Sequence, residues 1–365
     1  MHRRLYIPGP TEVSEDVLQA QVRPMIGHRH KDFTALYASV LTQLHEYFDT
    51  EQHITVFAAS GTIGMDITGR NLIREGKAAL SCVNGAFSKR MADTLKNCGH
   101  NVDVLEVEWG KAIKPEMIEE KLKEKEYDVV TVCQNETSTG VRSDLKAIGE
   151  VISKYPETLL VVDTVSSLGG DLILPDKMHT DFIFASTQKA FALPPGLAII
   201  IYSEKAVKRA EEVKNRGTYT DLLKVHNYYL KKKQTPSTPA ISLLYALDYQ
   251  LGKMLKETAK GRYERHKAMA ELTRKWALEK GFKLFAEKGY ESVTVTTIEN
   301  TLNKDVNALN AALAEKGMEL ANGYGNLKNK TFRIGHMGDH TLETIQELLN
   351  NINEIWELNW GELNV

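Results

Sequence analysis

The chain of 365 residues is poor in cysteine: it has three (Cys82, Cys98 and Cys133), with no CxxC or other metal-type spacing. That excludes a disulfide-stapled scaffold and a cysteine-built metal site, so no metal is expected and the thiols read as reduced, in a cytoplasmic protein. Long apolar runs are missing too. The longest, around LAIIIY, is far short of a membrane span, and the opening MHRRLYIPGPTEV has no apolar h-region, so no signal peptide is expected. Neither sign of charge is in excess: 46 Lys and Arg face 48 Asp and Glu, interspersed along the chain. This leaves no electrostatic footprint for nucleic acid, and the run Lys231, Lys232, Lys233 is short enough to read as a solvated face. Repeats, low-complexity segments and flexible linkers are also absent. What is present is an ordinary globular composition, 42% hydrophobic and 26% charged. At about 150 residues per domain, the length suggests two domains.

From residue 53 to about residue 240, short apolar runs alternate with amphipathic segments. HITVFAA, AALSCV, NVDVLEVE, YDVVTVCQ, TLLVVD, DFIFAS and LAIIIYS read as strands. GTIGMDITGRNLIRE, FSKRMADTLKNCG, PEMIEEKLKEK and DLKAIGEVISKY read as the helices between them. That alternation predicts βαβ units and a parallel or mixed sheet covered on both faces. The helical stretch after Pro239 is too long for one globular helix, so it is expected to bend or to span a domain boundary. Beyond it, SVTVTTIE and KTFRIG alternate with helices near DVNALNAALAEKG and TLETIQELLNNINEIWEL, the pattern of a smaller α+β domain.

In open α/β sheets, ligands bind beyond the carboxyl ends of the strands. The residues found there are ASGTIG, NGAF, QNETSTG, Asp163 after LLVV, and Lys189 in STQKAFALPPG. Each has an ordinary reading. SGTIG is a tight strand–helix turn, Phe87 a core aromatic, NETSTG a polar loop, Asp163 a cap and Lys189 a solvated surface amine. Each also has a chemical one. Ser60, Gly61 and Thr62 can aim amides and hydroxyls at a phosphate on a helix N-terminus, and a lysine desolvated in an apolar pocket can form a Schiff base with a carbonyl. Together, a phosphate cradle, a stacking aromatic, a buried carboxylate and an amine are the parts pyridoxal phosphate requires.

The order of these parts resembles class V, fold-type I pyridoxal-phosphate aminotransferases, and most of all their alanine–glyoxylate and serine–pyruvate group. PGPTEV, MIGHRHKDF, VNGAFSKR, NETSTGV, TPSTPAISLLYAL and FRIGHMG each contribute, but DTVSSLGG followed by STQKAFALPPG carries the resemblance. It implies the PLP-transferase fold type I, an α/β fold. Residues 1–15 would be an amino-terminal segment lining the site, 16–245 a large cofactor domain with a mostly parallel sheet, and 246–365 a small α+β domain. It further implies that Lys189 forms the Schiff base and moves the proton, and that Asp163 pairs with the pyridine nitrogen. Val165 and Phe87 would flank the ring, while Ser60, Gly61, Thr62 and Gln188 hold the phosphate. Thr137 would lie near the ring's phenolic oxygen or the phosphate. Arg333 would grip the substrate carboxylate and Gly9 line the substrate pocket. His28 and Arg29 belong to a loop that approaches the site, without an assigned role.

The implied reaction is ping-pong transfer of an amino group from alanine or serine to glyoxylate or pyruvate, in a homodimer. There Thr235 and Thr238 of one chain would reach the other chain's phosphate, whereas local signals alone make Thr238 an intrachain helix cap. Relatives using aspartate, ureidoglycine or aminoethylphosphonate are the alternative. A cysteine desulfurase would want a mobile cysteine late in the chain, and a Rossmann dehydrogenase a GxGxxG where SGTIGMD stands.

Overall fold

The computed structural model describes residues 2–358. A seven-stranded sheet runs in the order His53–Phe57, Ala198–Tyr202, Phe182–Ser186, Leu159–Asp163, Val129–Cys133, Ala78–Val83, Asn101–Glu106. Neighbours pair in parallel except around Ala198–Tyr202, which is antiparallel to both its partners. The sheet is therefore mixed, with a single reversed strand.

The central strands are buried at every position because both faces are covered, and alternate residues enter different cores. Val130, Val132, Leu160, Val162, Ile183 and Ile199 pack with helices Lys31–Phe48 and Ile241–Glu257. Val129, Leu159, Val161, Phe182, Phe184 and Ile200 pack on the other side, with Ile67 of helix Thr62–Asn71 and Leu95 of helix Ala86–Asn97. Only the edge strand Asn101–Glu106 is partly exposed along its length.

The long helical stretch is two helices, Ile241–Glu257 and Ala259–Glu279, broken at Thr258 with a φ of 68°. Leu244, Leu247 and Leu251 of the first helix belong to the large core, whereas Met269 and Trp276 of the second belong to the small one. The core thus changes hands near Thr258, beyond the expected boundary at 245/246. The small sheet, in the order Arg4–Tyr6, Met318–Asn322, Thr331–Gly335, Val295–Glu299, Lys283–Leu284, takes its outer strand from the start of the chain. Residues 4–6 therefore build the small domain, and the segment after them turns back toward the large sheet. Among the described residues no helix is long and apolar enough to cross a membrane.

Candidate active site

Asp163 ends its strand, and Lys189 follows the neighbouring parallel strand Phe182–Ser186. The sheet therefore delivers an acid and an amine to one rim. Asp163 is 6% exposed and accepts a hydrogen bond from the Val165 amide at 2.9 Å. Burial pushes its carboxyl up to about 7; the Val165 amide and Lys189 oppose this and Glu136 adds to it. Burial pulls the Lys189 ammonium down to about 8, with Asp163 opposing and Arg333 and Arg90 assisting. An amine that deprotonates near neutrality is a usable nucleophile and base.

Lys189 Nζ donates to the Pro8 carbonyl. The next residue, Gly9, has φ +112°, and a Cβ there would lie 2.4 Å from Lys189 Cδ. Only glycine suits both the backbone angle and the space. The Thr11 amide donates to the Gln188 carbonyl at 2.9 Å, so the amino-terminal segment is fastened alongside the lysine loop.

Gly61 caps helix Thr62–Asn71, and no acceptor engages the amides of Ser60, Gly61 or Thr62 among the described residues. A Cβ on Gly61 would meet Val165 Cγ2 at 2.6 Å and Ser186 Oγ at 3.3 Å. The phosphate-type turn, Val165 and the base of the lysine strand therefore converge. Two buried polar atoms beside the turn and the lysine, Ser186 Oγ and Gln188 Oε1, have no hydrogen-bond partner, a cost that a polar ligand would offset.

The NETSTG loop holds a residue that sequence reasoning passed over. Glu136 is fully buried, and no cation pairs with it among the described residues. Its carboxylate accepts from the Phe87, Ser88 and Ser138 amides and from the Ser88 and Ser138 hydroxyls. It thereby locks the N-terminus of helix Ala86–Asn97, where a carboxylate is favoured, and sets the position of Phe87. The Thr137 hydroxyl bonds Ser166 Oγ at 2.6 Å, and the Thr137 carbonyl accepts from Arg333 Nη1 at 3.3 Å.

Arg333 lies on strand Thr331–Gly335, 8% exposed, with Nε donating to the Asn322 carbonyl at 3.1 Å. Burial lowers its guanidinium to about 10, with Tyr324 and Glu136 opposing. No carboxylate pairs with it among the described residues, so a buried cation is left able to take one. Tyr324, for which the sequence carried no signal, lies 5.5 Å from that guanidinium and 5.2 Å from Phe87, between centroids.

Thr235 and Thr238 are not joined to Lys189 or Asp163 by any contact within the described chain. Thr235 Oγ1 donates to the Ser237 carbonyl at 2.8 Å, and exposed Thr238 faces His28 Nε2 at 3.5 Å. Arg29 donates to the carbonyls of Thr235 and Pro236 at 2.5 and 2.9 Å. His28 and Arg29 thus brace this loop. Burial raises all three cysteine thiols, Cys82 to about 12 and Cys133 well above its ordinary value, so none is a ready nucleophile.

The aminotransferase class V family matches residues 12–346. An uncharacterized aminotransferase of Methanocaldococcus jannaschii is 42% identical over 92% of this chain and 87% of its own length. The serine–glyoxylate aminotransferase of Methylorubrum extorquens is 35% identical over 92% and 86%. The crystal structure of an alanine–glyoxylate aminotransferase from Nostoc sp. superposes with a TM-score of 0.92 at 28% identity, covering 98% of this chain and 96% of that one. The chain therefore belongs to the class V aminotransferases, pyridoxal-phosphate-dependent transaminases of fold type I.

Proposed function

We propose that the enzyme moves an amino group from a small amino acid, alanine or serine, to glyoxylate or pyruvate by a ping-pong mechanism, as a cytoplasmic homodimer. The observation that carries this is a half-buried Lys189 amine that couples electrostatically to buried Asp163 and Arg333, the latter a buried guanidinium with no acidic partner among the described residues. The glyoxylate specificity in the names of the Methylorubrum and Nostoc proteins supports the choice of acceptor.

The residues fit pyridoxal phosphate. Ser186 Oγ and Gln188 Oε1 lack partners, and the space that Gly9 and Gly61 keep open would be filled by any Cβ. Ser60, Gly61, Thr62 and Gln188 are assigned to the phosphate, Val165 and Phe87 to the two ring faces, and Thr137 to the phenolic oxygen or phosphate. Thr235 and Thr238 are assigned to the phosphate of the partner subunit. When bound, the group supplies a carbonyl that captures the amino group and a ring that takes up electrons as the α-proton leaves. Lys189 Nζ would take that proton from the substrate carbon and pass it to the cofactor, which its lowered pKa suits. Asp163 keeps a proton on the ring nitrogen. Arg333 holds the substrate carboxylate by a bidentate pair, fixing the α-carbon before the lysine, and Gly9 lets the amino-terminal segment close over both.

A donor–acceptor panel tests the reading. Alanine or serine with glyoxylate or pyruvate is expected to give the highest kcat/KM, with parallel double-reciprocal lines. Arg333→Ala is expected to raise KM for amino and keto acid alike, since both present the same carboxylate. Preference for ureidoglycine or aminoethylphosphonate would reassign the donor. Sulfide release from cysteine would replace the transaminase reading.

A further inference from the structure

The mouth of the site carries a second guanidinium that the α-carboxylate does not use. Arg90 stands one helical turn after Phe87 on helix Ala86–Asn97 and is exposed. Its Nη2 donates to the Tyr324 hydroxyl at 3.1 Å, and its guanidinium lies 4.9 Å from the Phe87 ring centroid. Asp93, the acid one turn further on, pairs with Lys89 instead. Among the described residues no carboxylate pairs with Arg90. Its charge nonetheless reaches both Lys189 and Asp163. Two cations thus flank one aromatic pair, Arg90 against Phe87 and Arg333 against Tyr324, and among the described residues neither has a carboxylate in ion-pair contact. The nearby Glu136 carboxylate is taken up by the Phe87, Ser88 and Ser138 amides and the Ser88 and Ser138 hydroxyls. The stack and the phenol also hold Arg90 back over the mouth rather than leaving it extended in water, so less side-chain freedom remains to be lost on binding.

We propose that Arg90 and the Tyr324 hydroxyl form a second oxyanion-binding group that takes the distal carboxylate of an acidic 2-amino or 2-oxo acid, so that the enzyme turns over dicarboxylic substrates as well as small neutral ones. This rests on the transaminase reading of the same site. Arg333 and Arg90 would then bind the two ends of one dianion.

The test compares aspartate with alanine as donor to one keto acid, in the cofactor-loaded wild type and in Arg90→Gln, Arg90→Lys and Tyr324→Phe. Calorimetric titrations with maleate and with propionate accompany it. Wild type is expected to use aspartate. Arg90→Gln is expected to lower kcat/KM for aspartate relative to that for alanine by about tenfold or more, mainly through KM, as loss of charge-assisted hydrogen bonds implies. Arg90→Lys should recover part of that ratio, and Tyr324→Phe should show a smaller loss. The Kd for maleate should weaken more than that for propionate. An aspartate-to-alanine ratio that is the same in wild type and Arg90→Gln would overturn the proposal and leave Arg90 a strut between the domains. So would a wild type that uses alanine but not aspartate. Absence of transamination with every donor would overturn the transaminase reading instead, and selective weakening of maleate by Arg90→Gln would still support the second oxyanion group.

Discussion

At the scale of single residues, the site is built against stability. Asp163 is an acid whose folded-state pKa, about 7, lies above its ordinary value of 3.8. The folded chain therefore binds a proton more tightly than the unfolded chain does. Below about pH 4 the group is protonated in both states and costs nothing. As pH rises toward 7 the unfolded chain gains by ionising, and the cost grows until it levels off above the folded pKa. Asp163→Asn is thus expected to stabilise the cofactor-free protein by about 2–4 kcal/mol at pH 8, with the gain vanishing toward pH 4, while turnover falls severely. Urea denaturation of both proteins across that range checks this. An asparagine variant less stable than wild type at pH 8 would show that the carboxylate is better satisfied than its single bond to Val165 indicates. The cysteines are a control at the same scale. Replacing Cys82, Cys98 and Cys133 together by serine or alanine should cost some packing stability but leave transaminase activity largely intact, as assayed with alanine and glyoxylate.

At the scale of elements, parallel strands turn sequence order into a catalytic rim. Arg262, on helix Ala259–Glu279 and 2% exposed, donates to the carbonyls of Gly169 and Ala190 and pairs with Asp339 and Glu257. It ties the lysine loop to the helix that leads into the small domain. Arg262→Met would leave two partly buried carboxylates without this partner and is expected to cost about 3–5 kcal/mol, read as a drop in the denaturation midpoint. A change under about 1 kcal/mol would mean that Arg265, which also bonds Glu257, takes over. The same scale decides what was legible beforehand. The strands ending in Asp163 and preceding Lys189 are continuous apolar runs, so both residues could be placed at strand ends from sequence. Pro115 at the head of PEMIEEKLKEK and Gly99 at the end of FSKRMADTLKNCG are local signals of the same kind: the structure starts a helix at Pro115 and places Gly99, with a φ of 89°, just past the end of helix Ala86–Asn97. The pairing of Arg4–Tyr6 with Met318–Asn322 carries no local signal, since it joins strands about three hundred residues apart. Glu136 lies in the polar NETSTG segment, and nothing local marks it as buried, because burial of a charge is decided by tertiary packing. Tyr324 and Arg90 meet across two domains, where periodicity says nothing. Helix Leu222–Lys232, capped by Asp221, ends in the lysine run, whose charge alone does not distinguish a helix end from a solvated face.

At the scale of the whole molecule, the loop bearing Thr235 and Thr238 is braced by His28 and Arg29 yet reaches no part of its own Lys189–Asp163 pair. A symmetric dimer would give it a use. Mixing a Lys189→Ala chain with a Thr235→Ala/Thr238→Ala chain is expected to return about half the wild-type activity per heterodimer, because one site carries both defects and the other neither. Activity no higher than that of the threonine variant alone would mean the threonines serve their own chain. All of this depends on one bond. The most direct measurement is borohydride reduction of the enzyme loaded with pyridoxal phosphate, followed by peptide mass spectrometry. The expected result is a stable pyridoxyl-phosphate adduct on the peptide containing Lys189, absent from Lys189→Ala. An adduct confined to other lysines, or none at all, would contradict the assignment of Lys189 and with it the mechanism.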